Sequence, residues 1–214
     1  MKAGISLDET LSAKLATYYE LLARWNRKIN LTSLEDADEA IDRLLLEPVI
    51  ASKHLPNAVS ALMDVGSGGG SPAIPLALAL GAVQLTMVEV KARKSAFLRE
   101  AVRQLELSDA SVENTRYEEL LARPELHEGF DALSIRAVRV ESRVLMTLQA
   151  FVKPGGSVLL FRGPTGPDAP PGLLPPLEWQ RTVPLVESLQ SRLSILTKRE
   201  PSRPNVPRET LSVR

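Results

Sequence analysis

The chain has 214 residues, 44% of them hydrophobic and 24% charged, enough to bury one substantial core with a small appendage. Its formal net charge of +0 argues against a protein that coats nucleic acid over its whole surface, and the lack of cysteine excludes disulfides, thiolate zinc sites, iron–sulfur clusters and a cysteine nucleophile. No apolar run approaches the roughly 20 residues of a membrane helix and the N-terminal residues lack an apolar leader, so a cytoplasmic protein without membrane contact is expected.

Leu11, Leu15, Tyr18, Leu22, Trp25 and Ile29 follow one another at alternating steps of four and three, which places them on one stripe of a helix beginning near Ser6 or Asp8. Asn30-Leu31-Thr32 ends it. Ala40, Ile41, Leu44 and Leu45 mark a second helical stretch that Pro48 should break or restart, because proline disfavours helix at the residue before it. Residues 1–58 therefore read as a helical cap, with Trp25 packing in its core rather than stacking on a base. His54 and His127 lie in polar or proline-containing stretches without metal-ligand spacing and read as exposed loop or helix-end residues, so no metal site is expected.

From residue 61 strands and helices alternate. Strands are expected at 61–65, 83–90, 111–115, 130–135 and 157–161, and helices at 72–80, 92–106 and 139–151. Ala96, Phe97, Ala101, Val102 and Leu105 would form the inward face of the second of these helices, and the turn Lys153-Pro154-Gly155-Gly156 would precede the fifth strand. Such alternation implies right-handed crossovers and a mostly parallel, Rossmann-like α/β sheet covered on both faces, over residues 59–200. Pro164, Pro167, Pro170, Pro171, Pro175 and Pro176 exclude regular structure and mark a loop. Beyond it, 181–189 and 192–198 read as an antiparallel hairpin that makes the sheet seven-stranded, and 201–214 as an extended tail. The whole reads as a single domain and a monomer.

The most informative stretch is Asp64-Val65-Gly66-Ser67-Gly68-Gly69-Gly70-Ser71-Pro72. A strand ends in an acid, a glycine turn follows, and a helix opens on prolines, its start offering N–H groups to a carboxylate or phosphate. Serine stands at the third glycine of the dinucleotide fingerprint, leaving Asp-x-Gly-x-Gly-x-Gly as the better description. Glu89, at the end of the second strand, is placed to accept ribose hydroxyls. Together with the C-terminal hairpin, these features favour S-adenosylmethionine over a dinucleotide. Asp64, Gly66, Gly68, Gly70, Ser71 and Glu89 are the cofactor-binding candidates.

Lys91, Arg93, Lys94, Arg99 and Arg103 face one acid, Glu100, within 91–103, a stretch that reads either as a phosphate contact or as a solvated helix face. The fourth strand ends in Ser134-Ile135-Arg136-Ala137 rather than the Asn/Asp-Pro-Pro-aromatic element of exocyclic-amine methyltransferases. Targets needing neither a strong base nor a covalent adduct are left, such as a ring nitrogen or a ribose hydroxyl.

Trp25-Asn26, Asn30-Leu31-Thr32, the run from Asp64 to Leu76, Glu89, Arg93-Lys94, Phe97-Leu98, Arg116-Tyr117-Glu118, Arg136-Ala137 and Arg162-Gly163 occur in an order that resembles the small-subunit ribosomal RNA guanine-N7 methyltransferases, also called glucose-inhibited division protein B. The resemblance implies methyl transfer from S-adenosylmethionine to guanine N7 in small-subunit ribosomal RNA or an assembling small subunit. It places Gly66 and Ser71 on the methionine side, Glu89 on the ribose, Tyr117 and Glu118 on the adenine, and Arg136 as the catalytic residue between cofactor and guanine. Arg93, Lys94 and Arg162 would contact substrate. Leu44-Leu45-Leu46-Glu47-Pro48 stands where the family carries His-x-x-Asp-Ser, Ala73 replaces a glycine, and Arg162 replaces a lysine. A methyltransferase of the same fold with another RNA or small-molecule substrate, or a non-catalytic cofactor- or RNA-binding relative, are the competing readings.

Overall fold

A computed structural model describes residues 7–34, 36–56, 58–136 and 141–200. Ala137, the expected helix start near 139 and the tail 201–214 lie outside the described residues.

The first helix, α1 (Glu9–Ile29), starts where Asp8 accepts the Leu11 N–H at 2.7 Å and stops at Asn30, whose φ of 39° is left-handed. Asn26 Oδ1 accepts from Leu31 N at 2.6 Å and Thr32 N at 2.9 Å, fixing the turn that follows. Of the two outcomes expected at Pro48, a break is not seen and a restart is. The second helix, α2 (Ala37–Ile41), passes through a π-turn at Asp42–Leu46 into α3 (Glu47–Ser52), with Pro48 in the first turn of α3. Proline has no N–H to donate there, and the wider turn absorbs the misfit.

Seven strands form one sheet: β1 (Ala61–Val65), β2 (Gln84–Val88), β3 (Ala110–Glu113), β4 (Phe130–Arg136), β5 (Val152–Arg162), β6 (Leu177–Pro184) and β7 (Arg192–Lys198). Their order is β3-β2-β1-β4-β5-β7-β6; the first five are parallel, and β7 runs antiparallel to both β5 and β6. Order reverses between β1 and β4, and the carboxyl ends of strands at such a switch point are where ligands bind in open α/β sheets. The helices α4 (Ala73–Leu80), α5 (Ala92–Gln104), α6 (Tyr117–Leu120) and α7 (Ser142–Leu148) complete the crossovers.

Side-chain alternation divides the core between the two faces. Leu62, Leu85 and Leu159 pack with α1, α3, α4 and α5, whereas Met63, Val65, Leu133 and Val158 face Leu145 and Leu148 of α7. All of β1 is buried, as a central strand covered on both sides requires. The cap helix α1 is part of this core: Trp25 packs edge-on against Phe97 with ring centroids 5.8 Å apart, so the packing reading of Trp25 holds.

Two boundaries and one helix face differ from expectation. Residues 153–156 are not a turn but belong to β5, which shifts register against β4 between Phe130 and Ala132. The hairpin's first strand begins at Leu177 and ends at Pro184, and Glu187–Leu189 is a short 3-10 turn. On α5, Ala96 is exposed while Ser95 and Leu98 are buried, because the helix is rotated to seat Phe97 and Leu98 against α1 and the glycine turn.

Phe97 is fully buried between sheet and cap, so Phe97→Ala is expected to lower the unfolding free energy by about 3–5 kcal/mol. Urea unfolding followed by tryptophan fluorescence measures this; a loss under about 1 kcal/mol, the size of an exposed-site change, would contradict the seating of α1 on α5.

Candidate cofactor and substrate site

The glycine turn leaves β1 at Val65 and is held from three directions. Gly66 N and Ser67 N donate to Val88 O at 2.9 and 3.1 Å, Gly68 N donates to Glu89 Oε2 at 2.8 Å, and Tyr18 of α1 donates its hydroxyl to Gly69 O at 2.5 Å. Gly70 has φ +85°, and a Cβ on it would lie 2.7 Å from Ile74 Cδ1, so both conformation and space require glycine. Gly68 has φ +55° in open surroundings, its nearest side-chain atom being Lys94 Nζ at 3.9 Å from a built Cβ, and it leaves its backbone open to a ligand.

The start of α4 is not the N–H donor expected of it. Pro72, Ala73, Ile74 and Pro75 are buried, Ile74 N donates to Gly70 O at 2.7 Å, and Pro75 has no N–H. Prolines pack this turn against the core.

Acidic groups stand at the ends of β1 and β2. Asp64 is 1% exposed and accepts the Ser134 hydroxyl at 2.5 Å from the register-paired position on β4. Burial raises its carboxyl to about 6, against the lowering effect of hydrogen bonds from Ser134 and Ser67 and of the Arg136 charge. Asp64 Oδ2 has no hydrogen-bond partner among the described residues. Glu89 accepts Lys91 N on Oε1 at 2.7 Å and Gly68 N on Oε2, leaving a further lone-pair site on each oxygen.

Two hollows meet at Gly66. One, of about 180 Å³, is walled by Val88, Val90, Ile135, Val144 and Tyr117, with Glu89 at its edge. Val90 is 56% exposed, a large apolar side chain facing outward beside an acid. Burial and the neighbouring Glu118 carboxylate raise the Tyr117 phenol above its ordinary value; Glu118 itself is exposed on α6 and lines neither hollow. The second hollow, of about 320 Å³, lies between the cap and the glycine turn and is cationic, with Arg43, Lys94 and Arg136 in its wall. A third, of about 150 Å³ near Gly81 and Asp109, opens at the amino ends of β2 and β3, away from the switch point.

Arg136 ends β4 and is held on all sides. Nη1 donates to Arg43 O at 2.6 Å and to Ser71 Oγ at 3.1 Å, Nη2 lies 2.8 Å from Glu47 Oε2, and the guanidinium carbon sits 4.7 Å from the centroid of the Phe161 ring. Glu47 is 2% exposed. The π-turn explains why the cap can do this. Glu47 N reaches back five residues to Asp42 O, freeing the Arg43 carbonyl for Arg136, and Pro48 has no N–H, freeing the Leu44 carbonyl, which accepts the Ser71 hydroxyl at 2.8 Å. Ser188, in the turn before β7, donates to buried Asp42 at 2.6 Å and braces the π-turn from outside. Burial pushes the Arg136 guanidinium down and Glu47 pulls it back up; it stays charged.

Of the residues singled out by sequence, Asp64, the three glycines, Ser71, Glu89, Tyr117 and Arg136 converge on this corner, with Lys94 at its edge and Arg93 farther along α5. Arg162 does not join them. Its Nη1 donates to Pro167 O at 2.7 Å and to Asp168 O and Ser194 Oγ at 3.2 Å, and with Arg192 it folds the proline loop onto β5 and β7. Glu47, Tyr18 and Ser134 were missed. Glu47 carried a signal: an acid inside an apolar run next to a proline.

The sequence profile of the family described as GidB, rRNA small subunit methyltransferase G, matches residues 11–168. A ribosomal RNA small subunit methyltransferase G of Xanthomonas axonopodis pv. citri is 39% identical over 158 residues, 74% of this chain and 72% of the relative. One from Stenotrophomonas maltophilia is 37% identical over 161 residues, 75% of this chain and 73% of the relative. Among solved structures, a SAM dependent methyltransferase from Aquifex aeolicus aligns with a TM-score of 0.57 at 15% identity, over 78% of this chain and 95% of its own. The mitomycin 7-O-methyltransferase aligns with a TM-score of 0.58 at 14% identity, over 89% of this chain and 66% of its own, so both share the fold. On the extent of the profile match and the identity of its relatives, the chain belongs to the rRNA small subunit methyltransferase G family.

Proposed function

We propose that this protein methylates N7 of a guanosine in small-subunit ribosomal RNA, using S-adenosylmethionine. The observation that carries the reading is the pairing of an apolar hollow bounded by Glu89 with a cationic hollow bounded by Arg136, joined at Gly66, two residues after the buried Asp64 whose carboxylate oxygen Oδ2 has no partner among the described residues.

The residues present fit the cofactor. Asp64 would hold its ammonium group, Glu89 its ribose hydroxyls, and Val90 and Tyr117 its adenine. When bound, S-adenosylmethionine supplies an electrophilic methyl group on a sulfonium.

Guanine N7 carries a lone pair and no proton, so the chain need not supply a base. What it must do is hold the purine in line and exclude water, which is positioning catalysis. Arg136 is charged, fixed at Nη1 by Arg43 O and Ser71 and at Nη2 by Glu47, and lines the cationic hollow, where its positive field suits the guanine O6 acceptor. The purine gains a positive charge on methylation, and Glu47 offsets the arginine charge at 2.8 Å so that the donors remain without a bare cation beside the product. Residues 1–58 would act as the cap and 59–200 as the catalytic core of one monomeric methyltransferase domain.

Incubating the protein with labelled S-adenosylmethionine and unmodified small ribosomal subunits, then mapping strand scission at N7-methylated guanine, is expected to give one guanosine. Label confined to another base, to ribose or to protein would refute the reading. Asp64 gives a second test. Its carboxyl is neutral below about 6 and ionised above, and a cationic ammonium favours the ionised form. Cofactor affinity measured by calorimetry should therefore rise as pH increases from about 5 to 7 and then level off, while Asp64→Asn should bind more weakly and without this dependence. A flat wild-type profile would remove Asp64 from the ammonium site.

A further inference from the structure

The last turn of α1 and the first turn of α5 meet beside the cationic hollow and enclose a fourth, larger concavity of about 490 Å³. Arg27, Lys28 and Asn30 line one side, and Lys91, Arg93 and Lys94 the other, with no carboxylate in the wall. Arg27, Lys28, Lys91 and Arg93 are exposed and Lys94 is half-buried. None of these five cations forms an ion pair among the described residues, whereas Arg103, farther along α5, is paired with Glu100 at 2.8 Å. Like charges gathered from two helices repel one another and gain nothing for the fold; they are matched to a polyanion. Lys94 lines this groove and the cationic hollow alike, so the two adjoin at its side chain.

The chemistry of the target decides what enters. N7 lies on the major-groove edge of guanine, and in an A-form helix that groove is deep, narrow and closed to side chains. A guanosine that reaches Arg136 has therefore left its stack, and the strand that carries it is locally single. We infer that the groove between α1 and α5 is the track of that single strand: Lys94 takes the phosphate nearest the target guanosine, and Arg27, Lys28, Lys91 and Arg93 take the flanking ones. This assignment rests on the proposed RNA substrate and adds the path of its backbone. It also narrows the sequence expectation for 91–103, since Arg99 donates to Val112 O and Arg103 is paired, and adds the end of α1 to the binding surface.

The test compares salt dependences. The full-length protein and the variants Arg27→Gln/Lys28→Gln, Lys94→Gln and Arg103→Gln are titrated with protein-free small-subunit ribosomal RNA at several KCl concentrations, with S-adenosylmethionine affinity measured in parallel. Each lost phosphate contact should flatten the slope of log K against log salt by about 0.7, so the double variant should lose about 1.4 and Lys94→Gln about 0.7. Arg103→Gln should keep the wild-type slope, and Arg27→Gln/Lys28→Gln should keep the wild-type cofactor affinity. An unchanged slope in the groove variants or an equal flattening in Arg103→Gln would each overturn the assignment, as would wild-type binding without salt dependence. The wild-type methylation map is a separate readout: methyl on a different base together with the expected slopes would leave the groove standing and remove the guanine reading.

Discussion

The buried contact between Arg136 and Glu47 joins the two parts of the molecule that must act together. Arg136 is the last residue of β4, at the switch point of the sheet, and Glu47 belongs to the cap. Each alone would be a charge almost stripped of water; losing one partner of such a pair costs about 3–5 kcal/mol because the other is left uncompensated. Closure of the cap over the glycine turn and correct aim of the arginine are thus one event. The π-turn and Pro48 make the contact possible by freeing the carbonyls of Arg43 and Leu44, which then accept from Arg136 and from Ser71. A regular α-helix would have kept both carbonyls for itself.

Around that contact the site is held by groups from distant parts of the chain. Tyr18 of α1 fixes the glycine turn at Gly69, Glu89 fixes it at Gly68, and Ser134 fixes Asp64 across the strand pair. At the opposite end of the same strands Asp131 accepts Ser60 N and Ala61 N at 2.9 Å and pairs with Lys153 at 2.6 Å, so β1, β4 and β5 are tied below as well as above. A methyl transfer governed by alignment is served by such a frame, because a displacement of even an ångström can slow the reaction markedly.

The strand–helix alternation, the glycine turn and the acid at the end of β2 were legible because each is set by local requirements: side-chain period, positive φ, and the place where strands stop. The same locality explains what was misjudged. Pro48 reads on its own as breaking or restarting the helix, and only the Ser71 hydroxyl on the freed Leu44 carbonyl shows what the missing N–H serves. The prolines of α4 read as a helix start open to a ligand, and packing against the core closed it. The family resemblance makes Arg162 a substrate contact, and the proline loop folds back to take its donors. Tyr18 and Ser134 have no local mark at all; one sits on an ordinary amphipathic stripe and the other inside an ordinary strand, and only strand pairing and cap docking bring them to the site.

The proposal that catalysis depends on the Arg136–Glu47 contact is tested most directly by a double-mutant cycle on turnover at saturating cofactor, using Arg136→Lys, Glu47→Gln and the two together. Arg136→Lys is expected to reduce turnover by about 100-fold, Glu47→Gln by about 10-fold or more, and the pair by no more than Arg136→Lys alone, since both changes break one arrangement. Losses that multiply in the double variant, or a Glu47→Gln enzyme with wild-type turnover, would show that the arginine does its work without the cap's carboxylate.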